Sequence, residues 1–320
     1  MKQLLLFILI ALLFGACSDK KADPQKLAKE QAERDSLALK VAVMPTMDCL
    51  PLFYAQRCGI FHQLNLDVRL LKYDAQMDVD TAIVNGHADV AYTDLIRAAL
   101  LQSRGTGLYA ISPVESNIIL VSNKGKRMRR LNHLEERMTA IARHSVTDLL
   151  LDTIIQQNKL DAAAIYHPQI NNIALRCDML CNGTIDAAFL TEPYATQAQL
   201  AGHPALYNSK KQDIQLFTFV ASYKAAKDKR KLEQIKKLFK GYSMAIETIN
   251  KGGERDSIVH ILTNYPVDKK TADSIKLPKF RIPSDFNQKQ LETALRFLRG
   301  RKLINNSYRG DTLINPSLIR

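Results

Sequence analysis

Apolar and polar positions along this chain change period repeatedly, and each change marks an element. Residues 39–44 (LKVAVM) form an apolar run stopped by Pro45, which predicts a buried strand with Thr46, Met47 and Asp48 at its tip. Residues 50–58 are apolar with helical character and stop at Gly59, and 66–72 (LDVRLLK) return to a strand pattern. A polar tip at 73–78 leads into a helix that reaches Asn85. Residues 94–102 read as helix and 108–113 as strand. Further on, 117–122 (NIILVS), 138–142, 169–173, 205–207 and 216–222 (LFTFVAS) read as strands. A helix after Ser145 runs to about Lys159 with Ser145 as its N-cap, and 194–201 is helical. Residues 229–250 place Leu232, Ile235, Leu238, Phe239, Tyr242, Ala245, Ile246 and Ile249 on one face, an amphipathic helix ended by Lys251, Gly252 and Gly253. Strands alternating with helices at this spacing predict an α/β fold with mostly parallel sheets.

Two stretches echo each other. Residues 85–94 read NGHADVAYTD and residues 182–194 read NGTIDAAFLTEPY. In each, the Gly suits the position just beyond a helix, where positive φ is cheap without a Cβ. A short buried strand follows, and a Thr–acid pair stands where it emerges. Ligands of open α/β sheets bind beyond the carboxyl ends of strands. Two such tips predict two lobes facing a shared cleft. The expected boundaries are 39–115 for the first part of lobe I, 116–215 for lobe II and 216–320 for the return to lobe I with C-terminal helices.

The N-terminus carries a different signal. Lys2 precedes an apolar run over 4–14, too short for a spanning helix of ~20 residues and suited to a signal peptide. Gly15 and Ala16 lie directly before Cys17, which resembles a bacterial lipoprotein signal. Residues 1–16 are therefore expected to be removed, Cys17 to be lipidated, and 17–38 to tether the protein to a membrane. The formal net charge is +13, but Lys and Arg are spread over turns and helix faces without a nucleic-acid motif. The positive balance suits an anionic lipid surface better, and no nucleic-acid partner is expected. Cys49, Cys58, Cys177 and Cys181 fit buried free thiols, since the Cys177/Cys181 spacing is poorly oriented for a disulfide and no His joins it as a metal motif.

The order of these motifs resembles a known family: lipoprotein signal, VAVMP strand, PLFYAQRCGIF, NGHADVAYTD and DAAFLTEPYATQA. It is similar to the type II periplasmic solute-binding proteins of ABC importers, in the NMT1/THI5-like branch that binds nitrate, sulfonates and thiamine pyrimidines. The match is carried by Gly59-Ile60-Phe61, by Gly86, Asp89 and Ala91, and by Glu192 and Pro193, over roughly residues 40–250. The resemblance implies two α/β lobes of the periplasmic-binding-protein type II fold joined by crossing strands. It also implies a small-molecule ligand clamped between them and delivery to an ABC permease with its ATPase. A monomer without cofactor, metal or catalytic activity is expected. Members that bind aromatic ligands often place Trp in the cleft, and this chain has none.

The predicted tips carry Asp48, Asp74, Asp78, Asp94, Glu115 and Glu192 against only His144, with Arg97 and Arg143 as further basic candidates. An acid-biased cleft predicts a cationic or amino-heterocyclic, pyrimidine-like ligand, whereas nitrate or a sulfonate calls for Arg, Lys or clustered N–H donors. The expected lining is Thr46, Met47, Asp48, Gln76, Met77, Thr93, Asp94, Ser145, Thr191, Glu192 and Tyr194. Rival readings are an anion-binding protein of the same type, a lyase-like enzyme and a ligand sensor.

Overall fold

The structure, a computed structural model, describes residues 36–212 and 214–320. The expected signal peptide and Cys17, with most of the tether, lie outside the described residues. Residues Leu39–Arg320 form one unit built on two sheets. The first sheet takes β1 (Leu39–Val43), β2 (Val68–Lys72), β3 (Val90–Asp94), β4 (Leu108–Val114) and β9 (Phe217–Ser222) in the order β2-β1-β3-β9-β4. The second takes β5 (Ile118–Ser122), β6 (Thr139–Ala140), β7 (Ala187–Thr191) and β8 (Ala205–Asn208) in the order β6-β7-β5-β8. The chain passes from the first sheet to the second between β4 and β5, and returns between β8 and β9.

Strands inside each sheet are covered on both faces, which is why β3 (VAYTD), β5 (IILVS) and β7 (AAFLT) are buried along their whole length. The sheets are mixed rather than mostly parallel. β1 runs parallel to β2 and β3, and β6 parallel to β7, but β9 is antiparallel to β3 and β4, and β5 to β7 and β8. The antiparallel strands are the ones next to the crossings. A strand that enters from the other sheet needs no helical crossover, so nothing forces it parallel to its neighbours.

The covering helices are α1 (Leu50–Arg57), α2 (Ile60–Gln63), α3 (Gln76–Val84), α4 (Leu95–Ser103), α5 (Val146–Asn158), α6 (Ile173–Cys181), α7 (Tyr194–Leu200), α8 (Tyr223–Lys227), α9 (Lys229–Asn250), α10 (Arg255–Thr263), α11 (Lys269–Ser274) and α12 (Gln288–Gly300). Gly86 and Gly183 both follow a helix and its cap residue with φ of +70° and +84°, so both echo stretches begin as the pattern predicts. The expected strand at 169–173 does not form: Gln169 makes an isolated bridge to Ile141, and Ile173 already begins α6, capped by the Asn172 side chain. Asn172, next to last in this short QINNI stretch, caps a helix instead and outweighs its weak strand propensity.

One apolar cluster runs through both sheets, joining Val41, Val90 and Phe219 to Leu120, Ile141 and Phe189. A smaller one, around Val121, Leu180 and Leu190, lies on the other face of the second sheet. Among the described residues, no helix is long and apolar enough to cross a membrane.

Candidate binding site

Between the ends of these strands lies a small cavity of about 50 Å³. The first-sheet side contributes Met44 and Thr46 after β1, Tyr92 and Asp94 of β3, Arg97 of α4, Gln76 of α3 and Phe217 of β9. The second-sheet side contributes Ile118, Phe189 and Thr191 from β5 and β7, Ser145 to Thr147 at the start of α5, and Asn171, Ile173 and Arg176 near α6. The Tyr92 ring stacks on Phe217 at an interplanar angle of 2°, which fixes an aromatic wall. Contacts across the mouth join the two sides. Ala75 bridges Asn172, Asn171 Nδ2 meets Met77 Sδ at 2.7 Å, and Arg97 Nη2 donates to the Arg143 carbonyl at 3.2 Å.

The polar groups divide into those already engaged and those left open. Asp94 accepts from the backbone N–H groups of Ile96 and Arg97, so β3 turns into α4 without a loop. Burial still pushes its carboxyl up to about 6, against the lowering effect of Arg97. Arg97 pairs with Asp80 at 2.6 Å. The Ser145 hydroxyl accepts from Thr147 N–H and donates to the Ala142 carbonyl, which closes the entry turn of α5. By contrast, Thr46 Oγ1, Thr191 Oγ1 and Arg97 Nε are buried without a hydrogen-bond partner among the described residues.

Arg176 is the sharper case. It is 2% exposed, donates from Nε and Nη1 to the Ile170 and Phe189 carbonyls at 2.9 and 2.6 Å, and has no carboxylate partner among the described residues. Burial first, and then nearby Arg97, push its pKa down to about 10, so at neutral pH it remains a buried, unneutralised cation.

The profile of the family described as NMT1/THI5 like matches residues 46–250, well over half of the chain. The chain belongs to that family. No curated protein matches its sequence. Solved structures share the fold of this NMT1/THI5-like protein at low identity. The ligand-binding component of an ABC-type import system from Staphylococcus aureus, with zinc bound, superposes with a TM-score of 0.73 at 18% identity, covering 88% of this chain and 97% of that one. The alkanesulfonate-binding protein SsuA from Xanthomonas axonopodis pv. citri, bound to MOPS, gives 0.71 at 15%, covering 84% and 95%. The periplasmic nitrate-binding protein NrtA from Synechocystis PCC 6803 gives 0.72 at 13%, covering 88% and 87%.

The residues expected from sequence separate into three groups in this NMT1/THI5-like fold. Thr46, Gln76, Asp94, Ser145 and Thr191 line the first cavity. Met47, Asp48 and Glu192 line a second, larger cavity of about 520 Å³ beside the Glu115–Asn117 crossing, together with Lys210, Lys276, Lys279 and Arg281. Met77 is 48% exposed at the mouth of the first cavity, whereas Thr93 and Tyr194 are buried and line neither cavity.

A single acid-lined cleft therefore does not form. Asp48 accepts from the Tyr92 and Ser116 hydroxyls at 2.5 and 2.8 Å, and Glu192 accepts from Thr196 N–H at 2.9 Å. Glu115 pairs with Arg281, and Asp74 and Asp78 face outward. The tip pattern located both sides of the cavity and, in Arg97, part of its charge; it missed Arg176, which lies in α6 ahead of the second tip. Arg176 had a signal available: it is the lone charge on the Ile173/Cys177/Leu180 face of α6.

Proposed function

We propose that this protein is an extracytoplasmic solute-binding component of an ABC-type importer. Two lobes, one around each sheet, close on a small solute in the cavity between the strand ends, and a permease with its ATPase receives it. Residues 39–115 and 216–320 belong to lobe I in this reading, and 116–215 to lobe II. The N-terminal Cys17 anchors the protein to the membrane. Family membership and the shared fold support the binding role.

The ligand carries one acidic group on a small body. Arg176 carries that reading: a guanidinium buried without a carboxylate is costly unless an anion completes it, and the fork geometry of Arg suits a carboxylate or sulfonate. Thr46 and Thr191 supply hydroxyls for the ligand's remaining polar atoms, and Tyr92, Phe217 and Phe189 supply the apolar walls. Closure strengthens these contacts by removing water.

A second reading keeps the sequence-based preference for a cation and moves it to the larger cavity. Burial raises the pKa of both Asp48 and Glu192, and neither has a cationic partner among the described residues.

Thermal unfolding with alkanesulfonates, the matching carboxylates, their neutral amides, amino-pyrimidines and amines separates the two. Sulfonates or carboxylates should stabilise while the neutral amides do not, and Thr46→Val or Thr191→Val should weaken that shift. Stabilisation by amines or amino-pyrimidines alone, abolished by Asp48→Asn or Glu192→Gln, replaces the first reading with the second.

A further inference from the structure

Outside both cavities, one contact ties the two sheet units together through the very turn that borders the ligand cavity. Arg301 follows α12, and α12 packs on α4 in the layer of the first sheet. Its guanidinium reaches across to α5, in the layer of the second. Nε and Nη2 donate to the two carboxylate oxygens of Asp152 at 3.1 and 2.6 Å, and Nη2 also meets Asp148 Oδ1 at 3.2 Å. The other Asp148 oxygen accepts from His144 N–H at 2.8 Å, so the same carboxylate shapes the loop that enters α5. Ser145, Val146 and Thr147 at that entry line the cavity. The guanidinium also lies 5.5 Å from the centroid of the Phe297 ring, which pre-orients it.

We propose that Arg301 is a positioning residue for ligand capture. It clamps the first turn of α5 against the first-sheet layer and holds the closed arrangement from a point no ligand touches. The fork on Asp152 and the nearly buried Asp148 distinguish it from an ordinary surface pair: Asp148 is 3% exposed, and Arg301 is 40% exposed. The clamp depends on the two units moving as the lobes described above, but its test needs no ligand.

Amide hydrogen exchange and small-angle scattering of the whole protein, at about 0.05 M and 0.5 M salt, read the clamp directly. In Arg301→Met, which keeps the stem over Phe297, amides of residues 143–149 should exchange about fivefold faster while those late in α5 keep the wild-type rate. The radius of gyration should rise to the value that wild type reaches only at high salt. Arg301→Lys, which keeps the charge but loses the fork on Asp152, should fall between wild type and Arg301→Met in both readouts. Three results overturn the clamp: equal exchange at 143–149 in wild type and Arg301→Met, equal acceleration along all of α5, or a wild-type radius insensitive to salt. The ligand panel above is unaffected by any of them.

Discussion

Asp48 shows how a buried carboxylate can be held by hydroxyl groups, with no charge partner among the described residues. Its side chain takes two hydroxyl hydrogen bonds, while the Tyr242 hydroxyl donates to its backbone carbonyl at 3.3 Å. Desolvation outweighs those bonds and pushes the pKa from 3.8 up to about 6. The native state therefore keeps a proton that the unfolded chain releases near pH 4. Its contribution to stability is full below about pH 4 and is lost as pH rises towards 6. Asn in its place offers an oxygen to the same two hydroxyls without ionising. Asp48→Asn should match wild type near pH 4 and exceed it by about 3 kcal/mol at pH 7. Urea unfolding at the two pH values measures the gap, and a gap that does not grow with pH rejects this account. Thr46 and Thr191 obey a different rule, because their hydroxyl oxygens are buried without a hydrogen-bond partner among the described residues. Isosteric Val at either position should leave stability unchanged or raise it by up to about 1 kcal/mol, as measured by the same unfolding curves. A loss of 2 kcal/mol or more would show that the hydroxyl has an internal role.

At the scale of elements, the two echo stretches test how far local chemistry dictates structure. Gly86 and Gly183 both occupy left-handed backbone just past a helix, and a Cβ at Gly86 would meet nothing within 4 Å. The cost of Ala there is conformational, not steric. Gly86→Ala and Gly183→Ala should each lose about 1 kcal/mol in denaturant midpoint analysis, with an unchanged m-value. A loss below a few tenths would mean the turn relaxes to negative φ. These turns, the Ser145 cap and the face of α9 were legible because each rests on a few neighbouring residues. Strand direction in β5 and β9 was not, since an apolar run has the same pattern read either way. Nor was the division of the tips between two cavities. Thr46 and Asp48 are two residues apart, yet the 3₁₀ turn Met47–Cys49 sends Asp48 towards the crossing at Ser116. Such a turn follows from tertiary partners, here Tyr92 and Ser116, that sequence spacing does not reveal.

For the whole molecule the decisive feature is the apolar cluster that runs through both sheets while the chain crosses between them twice. Ile118 and Leu120 of β5 share that cluster with Val114 and Phe219 of the first sheet. Neither unit can then lose its packing without exposing part of the other's core, and two chain crossings resist separation more than one would. Unfolding should be cooperative: one calorimetric peak, with calorimetric and van't Hoff enthalpies in agreement. A ligand at ~100 times its dissociation constant should move that entire peak, adding about 2.7 kcal/mol, because it contacts both units and binds only when they are folded together. Two resolved peaks, with only one responding to ligand, would instead mean that each sheet unit folds on its own and that the cavity belongs to one of them. Chain connectivity argues against that outcome, since β9 completes the first sheet only after the whole second sheet has been traversed.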